Sequence, residues 1–198
     1  MPSAIAAAVT PANLESALSE LDPAIVSADA RQTLLARSFE LRSGRERATS
    51  YWKIDLDALD YSGLSVHAAP APAISVPQAR GLIACDLATA VRSHQDLVAR
   101  AFGMAIAAGK NKFAALATAL CNTGAFVYVP ADVAPDEPIE ISYSATDALF
   151  PYTLVLVEHG ANCTIIERFE GSSGTFVCGI AEICLLYTSP SPRDRQKS

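Results

Sequence analysis

The chain has 198 residues, 51% hydrophobic and 18% charged, with a formal net charge of −6. This is a globular composition, sized for one ordinary domain or two small ones. The acidic balance argues against a nucleic-acid backbone as partner, and the longest apolar runs, such as Ala101–Ala108, are too short to span a bilayer.

The N-terminal part reads as helical. Ala4–Val9 is apolar but follows no basic region, so it is not a signal peptide, and a cytoplasmic location is expected. Thr10-Pro11 places an N-cap before a proline at the first helical position, and Leu14, Ala17, Leu18 and Leu21 follow at helical spacing. Asp22-Pro23 repeats the start signal for a second helix, which buries Ile25, Leu34, Leu35 and Phe39 and stops at Gly44. Tyr51 and Trp52 open a mixed segment. Pro70, Pro72 and Pro77 make His67–Gln78 extended, and Gly81–Leu87 reads as a short buried strand.

Helices then return. Ser93-His94-Gln95-Asp96 has the form of a capping box, predicting a helix that carries Leu97, Val98 and Phe102 inward. The glycines from Gly103 to Gly109 interrupt it. Phe113, Leu116, Ala117 and Leu120 mark one face of a further amphipathic helix, ended by Asn122-Thr123-Gly124.

From Ala125 the period changes to two. AFVYV, PIEISY, TLVLVE, CTIIERF and TFVCGIAEI read as short strands at steps of about ten to fifteen residues, with turn residues between them. Ile139, Ile141 and Tyr143 alternate with Glu140 and Ser142, a half-buried pattern. Even spacing fits a sandwich of hairpins or a solenoid. No Asn-Gly or Asp-Gly hairpin turn occurs, and TLVLV is apolar on both faces, so the solenoid is the expectation.

The segment KFAALATALCNTGAFVYVPADV (112–133) resembles the stretch of SufB/SufD proteins of iron–sulfur cluster assembly in which a helix leads into the first β-helix strand. Phe126–Pro130, Glu137-Pro138-Ile139, Val157–Ala161 and Thr164–Glu167 continue the resemblance in order, over about Leu82 to Ile183. YWKI at 51–54 is similar to a tryptophan-containing segment of SufD-type chains. The resemblance implies an α+β chain: a mainly helical region over 1–124, then the first coils of a right-handed parallel β-helix over 125–183. It further implies a non-enzymatic, cytoplasmic SufD-like scaffold subunit of a SufBCD complex, with SufB-like and SufC-like partners, no nucleic acid and no membrane. SufC hydrolyses the ATP, and the full complex assembles the iron–sulfur cluster transiently. The family's cluster-assembly and SufC-binding residues fall beyond Ile183. No catalytic, cofactor-binding or metal residue is therefore carried over, and no cofactor is expected on this chain.

The last residues are set apart. Cys184–Asp194, CLLYTSPSPRD, reads as the translation of a transposase adapter used in sequencing libraries, and 184–198 is expected to be a non-native tail that adds no core to a truncated chain.

Other chemistry is sparse. The five cysteines, at 85, 121, 163, 178 and 184, lack metal-knuckle spacing and are expected to be free thiols, the first four buried as small hydrophobes. Cys163 and Cys178 sit on strands about one coil apart and could stack into a soft-metal site, but two thiolates are too few to close one. His67 lies among prolines and alanines without a ligand partner, His94 at a helix start, and His159 in a turn. Asp132…Asp136-Glu137 lacks a calcium-loop cadence. Neither a Walker loop nor a Gly-x-Ser-x-Gly elbow occurs. The rival class is a β-helix enzyme acting on polysaccharide, which would carry charged residues along an exposed sheet and an export signal.

Overall fold

The computed structural model describes residues 11–41, 60–145 and 147–186. Thr10, Gly44, the Tyr51–Ile54 segment and 187–198 lie outside the described residues. Among the described residues five α-helices precede residue 120: α1 (Ala12–Ala17), α2 (Ala28–Glu40), α3 (Leu87–Ser93), α4 (Gln95–Ala99) and α5 (Lys112–Ala119). Two strands lie among them, β1 (Ala73–Ser75) and β2 (Ile83–Asp86). Seven more follow: β3 (Thr123–Val129), β4 (Ile139–Ala145), β5 (Ala148–Leu149), β6 (Pro151–Val157), β7 (Ile165–Gly171), β8 (Phe176–Val177) and β9 (Ile180–Leu185).

Several helix starts differ from the sequence signals, for local reasons. The Asp22 carboxylate accepts the Ala24 N–H at 2.9 Å, so Asp22-Pro23 closes a turn, not a helix. The helix begins after Ser27, whose hydroxyl accepts from the Ala30 N–H, and ends at Glu40, before Gly44. Ser93 is the last residue of α3, not an N-cap. The cap that starts this region is Asp86, whose side chain accepts the Thr89 N–H at 2.9 Å. Val98 is buried as expected, with Leu97 and Phe102 packed against the same cluster. The α5 helix, capped by Asn111, is not amphipathic: Ala114 through Ala119 are all buried, because α2 covers one side and strands cover the other.

The strands after residue 123 visit three sheets in a fixed cycle. β3, β6 and β9 pair in parallel, as do β4 with β7 and β5 with β8. In the first ladder each residue pairs with the one 28 positions on, Thr123 with Pro151 and Tyr152 with Ile180. β3 and β4 are not paired with each other, so the hairpin alternative has no support here. The antiparallel pairs are made by the earlier strands, β1 on β4 and β2 on β3. The expected strand 175–183 is broken at Cys178-Gly179 into β8 and β9, which lie in different sheets.

Burial explains the apolar patterns. Ile139, Ile141 and Tyr143 of β4 face inward, as their alternation requires. All seven residues of β6 are buried. Tyr152, Leu154 and Leu156 pack with residues of α3 and α4, whereas Val155 and Val157 join Val127, Ile139 and Ile141 in the cluster between the sheets. Gly124 marks the tightest approach: a Cβ there would lie 2.5 Å from the Tyr152 carbonyl oxygen and 2.9 Å from Leu87 Cδ2.

The packed structure does not stop at Ile183. β9 continues through Leu185, and the Leu186 N–H reaches the Val157 carbonyl at 2.9 Å. Cys184 and Leu186 pack against the helix-covered core. β6 offers ladder groups as far as Val157, so pairing proceeds two residues past the point where the apolar pattern ends.

Candidate functional site

The histidines do not converge. His67 Nδ1 lies 2.8 Å from Glu20 Oε2 and its Nε2 lies 2.7 Å from Ser65 Oγ. The hydrogen bond that its ring donates to the Glu20 carboxylate raises its pKa above 6.5. All three side chains face solvent, and the cluster ties the turn after α1 to the extended segment that precedes β1. His94 bridges α3 and α4 without a side-chain cap bond. His159 accepts the Asp132 N–H through its carbonyl at 3.0 Å. Among the described residues no group of three His, Cys, Asp or Glu could hold a metal ion.

All five cysteines are free thiols. Cys121 is buried and the other four are only partly so. Cys163 and Cys178 are not stacked, because one repeat is 28 residues and these two are much closer in sequence. Cys163 borders the cluster between the sheets, and Cys178 borders the two helix-contacting clusters. Burial pushes the Cys178 thiol up to about 11 and the Cys121 thiol up to about 12. Thiols held that high are poor metal ligands and slow nucleophiles.

Two buried charges escaped the sequence reading. Glu182 is fully buried and accepts from the backbone N–H groups of Gly103, Ala105 and Ile106, at 2.8, 2.6 and 3.0 Å, and from the Tyr152 hydroxyl. The Gly103–Ile106 turn thus wraps a carboxylate from the far end of the chain. An acid in an otherwise apolar strand, FVCGIAEI, was the available signal. Arg31 is also fully buried, and its guanidinium donates to the carbonyls of Val26, Asp22, Ala119 and Cys121. Burial lowers its pKa below the ordinary arginine value, with Cys121 and Asp22 opposing. Nothing in the sequence of α2 marks it. Asn122 completes this region, donating to the carbonyls of His67 and Ala148 and accepting from the Phe150 N–H.

The remaining feature is an end. Among the described residues β7, β8 and β9 are each the last strand of their sheet. Four large apolar residues on them are exposed: Phe169, Val177, Ile183 and Leu185. A cavity of about 250 Å³ opens between β6, β9 and the segment leading into β7.

Residues 66–141 match the family described as SufBD protein N-terminal region. Over these residues the chain is similar to the SufB/SufD family. The SufB/SufD match runs from the extended segment before β1 into β4, through the α5–β3 junction. The chain is 36% identical over 94 residues to the iron-sulfur cluster assembly protein SufD of Bacillus subtilis, covering 46% of this chain and 22% of that protein. It is 36% identical over 93 residues to an iron-sulfur cluster assembly SufBD family protein of Mycobacterium tuberculosis, covering 46% of this chain and 11% of the relative. A SufBD family protein of Staphylococcus haemolyticus is 33% identical over 91 residues, 44% of this chain and 20% of the relative. The chain thus spans a small part of the relatives it matches.

Proposed function

We propose that this chain is the N-terminal region of a SufD-like scaffold subunit that takes part in iron–sulfur cluster assembly. The reading includes a cytoplasmic complex with SufB-like and SufC-like subunits, in which SufC hydrolyses ATP and the cluster is cargo. The observation that carries it is the SufB/SufD match across the α5–β3 junction, together with a relative named SufD.

The parallel ladders support a second part of the proposal. The cycle of strands through three sheets is what the first coils of a right-handed β-helix would give, and helices α3 and α4 lie against the outer face of β6. Nothing observed favours the polysaccharide-acting alternative.

Co-expression tests the assignment. The corresponding full-length subunit, tagged, is expected to co-purify with SufB-like and SufC-like proteins of the same organism. Failure to retain either one, with the tagged subunit folded by circular dichroism, overturns it.

A further inference from the structure

The exposed side chains of Glu20, Ser65 and His67 stand on backbone that packing holds in place. Val66 is buried, so in the extended run around it Ser65 and His67 turn the other way, toward solvent. The Asn122 amide donates to the His67 carbonyl at 2.9 Å, and the Ala69 N–H donates to the Asn122 carbonyl at 3.1 Å. Glu20 ends the turn after α1, where Leu14, Ala17 and Leu21 are buried. The Asn13 amide of α1 donates to the carbonyls of Tyr61 and Leu64, at 3.1 and 2.8 Å. The two segments that carry the cluster are thus fastened to each other beside it.

An ionised carboxylate only accepts, so the ring nitrogen 2.8 Å from Glu20, Nδ1, carries a proton. In the neutral ring Nε2 is then a lone-pair acceptor, and the Ser65 hydroxyl 2.7 Å from it is the donor. A surface ion pair accounts for the first contact and not for the second. Hydroxyl to imidazole to carboxylate is the order in which a serine becomes nucleophilic, and both distances are within hydrogen-bond reach. We propose that Ser65 accepts acyl groups from activated esters, such as aryl esters, with His67 as its general base and Glu20 as a positioning residue. The Ser65 oxygen bonds to the acyl carbon as its proton passes to His67 Nε2, and the bond from that carbon to the aryl oxygen breaks to release the phenolate. The proton on His67 then leaves to solvent. Water adds to the acyl-serine, giving a proton to His67, which passes it to the departing Ser65 oxygen as the carboxylic acid is released. The His67 and Glu20 side chains are 57% and 53% exposed, and water at the site weakens stabilisation of an oxyanion. The substrates are therefore esters whose leaving group departs without a proton. The inference rests on this geometry, not on the scaffold assignment, so co-purification and the test below can fail separately.

The test incubates the whole chain with p-nitrophenyl acetate. The parent chain is expected to release p-nitrophenolate about tenfold or more faster than the Ser65→Ala and His67→Ala chains. Mass spectrometry should find an acetyl group on Ser65. The rate should rise with pH through the folded-state pKa of His67, which Glu20 raises, with Asp147, across a cavity of about 60 Å³ beside the ring, adding to it. Glu20→Gln should therefore move the midpoint of the rate profile to lower pH, and an unchanged midpoint overturns the role of Glu20. Circular dichroism checks each variant. If Ser65→Ala fails to fold, labelling of Ser65 in the parent chain by a fluorophosphonate decides alone. Equal rates for the parent and Ser65→Ala chains, or acetyl groups on cysteines and none on Ser65, overturn the proposal.

Discussion

Tyr152 and Glu182 are hydrogen-bonded across neighbouring parallel strands, hydroxyl to carboxylate, with both residues buried. The carboxylate also reaches into the Gly103–Ile106 turn, where three backbone N–H groups converge on it. One side chain therefore fastens the end of the described strands to the helical region.

Glu182→Ala removes four acceptor contacts, leaving the buried Tyr152 hydroxyl without its acceptor and three amides of an exposed turn to water. The expected loss is about 2–4 kcal/mol of unfolding free energy. Glu182→Gln keeps the shape and one oxygen, so a smaller loss, about 1–2 kcal/mol, is expected. Urea melts followed by circular dichroism check both. Equal stability for Glu182→Ala and the parent chain would show that the turn is satisfied some other way.

Arg31→Met keeps the aliphatic stem and removes the donors to four carbonyls. A loss of about 3 kcal/mol is expected, because the carbonyls remain buried without partners. Arg31→Lys is not expected to rescue it, since one ammonium cannot reach all four. Thermal unfolding of the three chains measures the difference.

The Glu20–His67 pair sets a pH dependence. The folded-state pKa of His67 is raised above 6.5 by Glu20. Its contribution to stability is thus complete below about 6.5, the ordinary histidine value, and is lost as pH rises through the higher folded-state value. In an NMR titration the His67 midpoint is expected above that of a free histidine, and Glu20→Gln should return it to the ordinary range. An unchanged midpoint in Glu20→Gln would remove the ion pair from the account.

Gly124→Ala places a methyl against the Tyr152 carbonyl oxygen, a backbone atom that cannot rotate away. The expected cost is about 1–3 kcal/mol, with strands and helices moved apart at that point. Differential scanning calorimetry reads it as a lowered midpoint.

Thiol reactivity offers a check on packing. Cys121 is 1% exposed and held up to about 12, so it is expected to resist thiol reagents until the chain unfolds. Cys85, Cys163 and Cys184 are only partly buried and should label first. Mass spectrometry of timed alkylation gives the order, and early labelling of Cys121 would contradict the packing around α5.

The sequence carried the periods well and the long-range polar contacts poorly. The switch at Gly124, the alternation of Ile139, Ile141 and Tyr143 and the extended run around Pro70 follow from local rules, and the structure has each of them. Helix starts were misplaced where a side chain with two local options took the other one: Asp22 closes a turn and Asp86, not Ser93, caps a helix. The double-sided apolarity of β6 was legible, but its cause was not, since the helices that cover its outer face come from residues 87–99. Arg31 left no mark because its acceptors are backbone carbonyls, two of them 88 and 90 positions away, and Glu182 showed only as an acid in an apolar strand, its backbone donors lying 76 to 79 positions upstream.

The Arg31 contacts also say something about the order in which this chain becomes a protein. The carbonyls of Ala119 and Cys121 lie 88 and 90 positions downstream of the guanidinium. During synthesis α2 leaves the ribosome long before those groups exist, with Leu14 and Leu35 still uncovered. Closing so long a loop costs more entropy than a local contact returns, so the early helices must wait. The moment at which Cys121 clears the exit tunnel is therefore the earliest at which the segment holding α1 and α2 can settle. Chaperone occupancy on stalled nascent chains should fall once stalling is moved past that point.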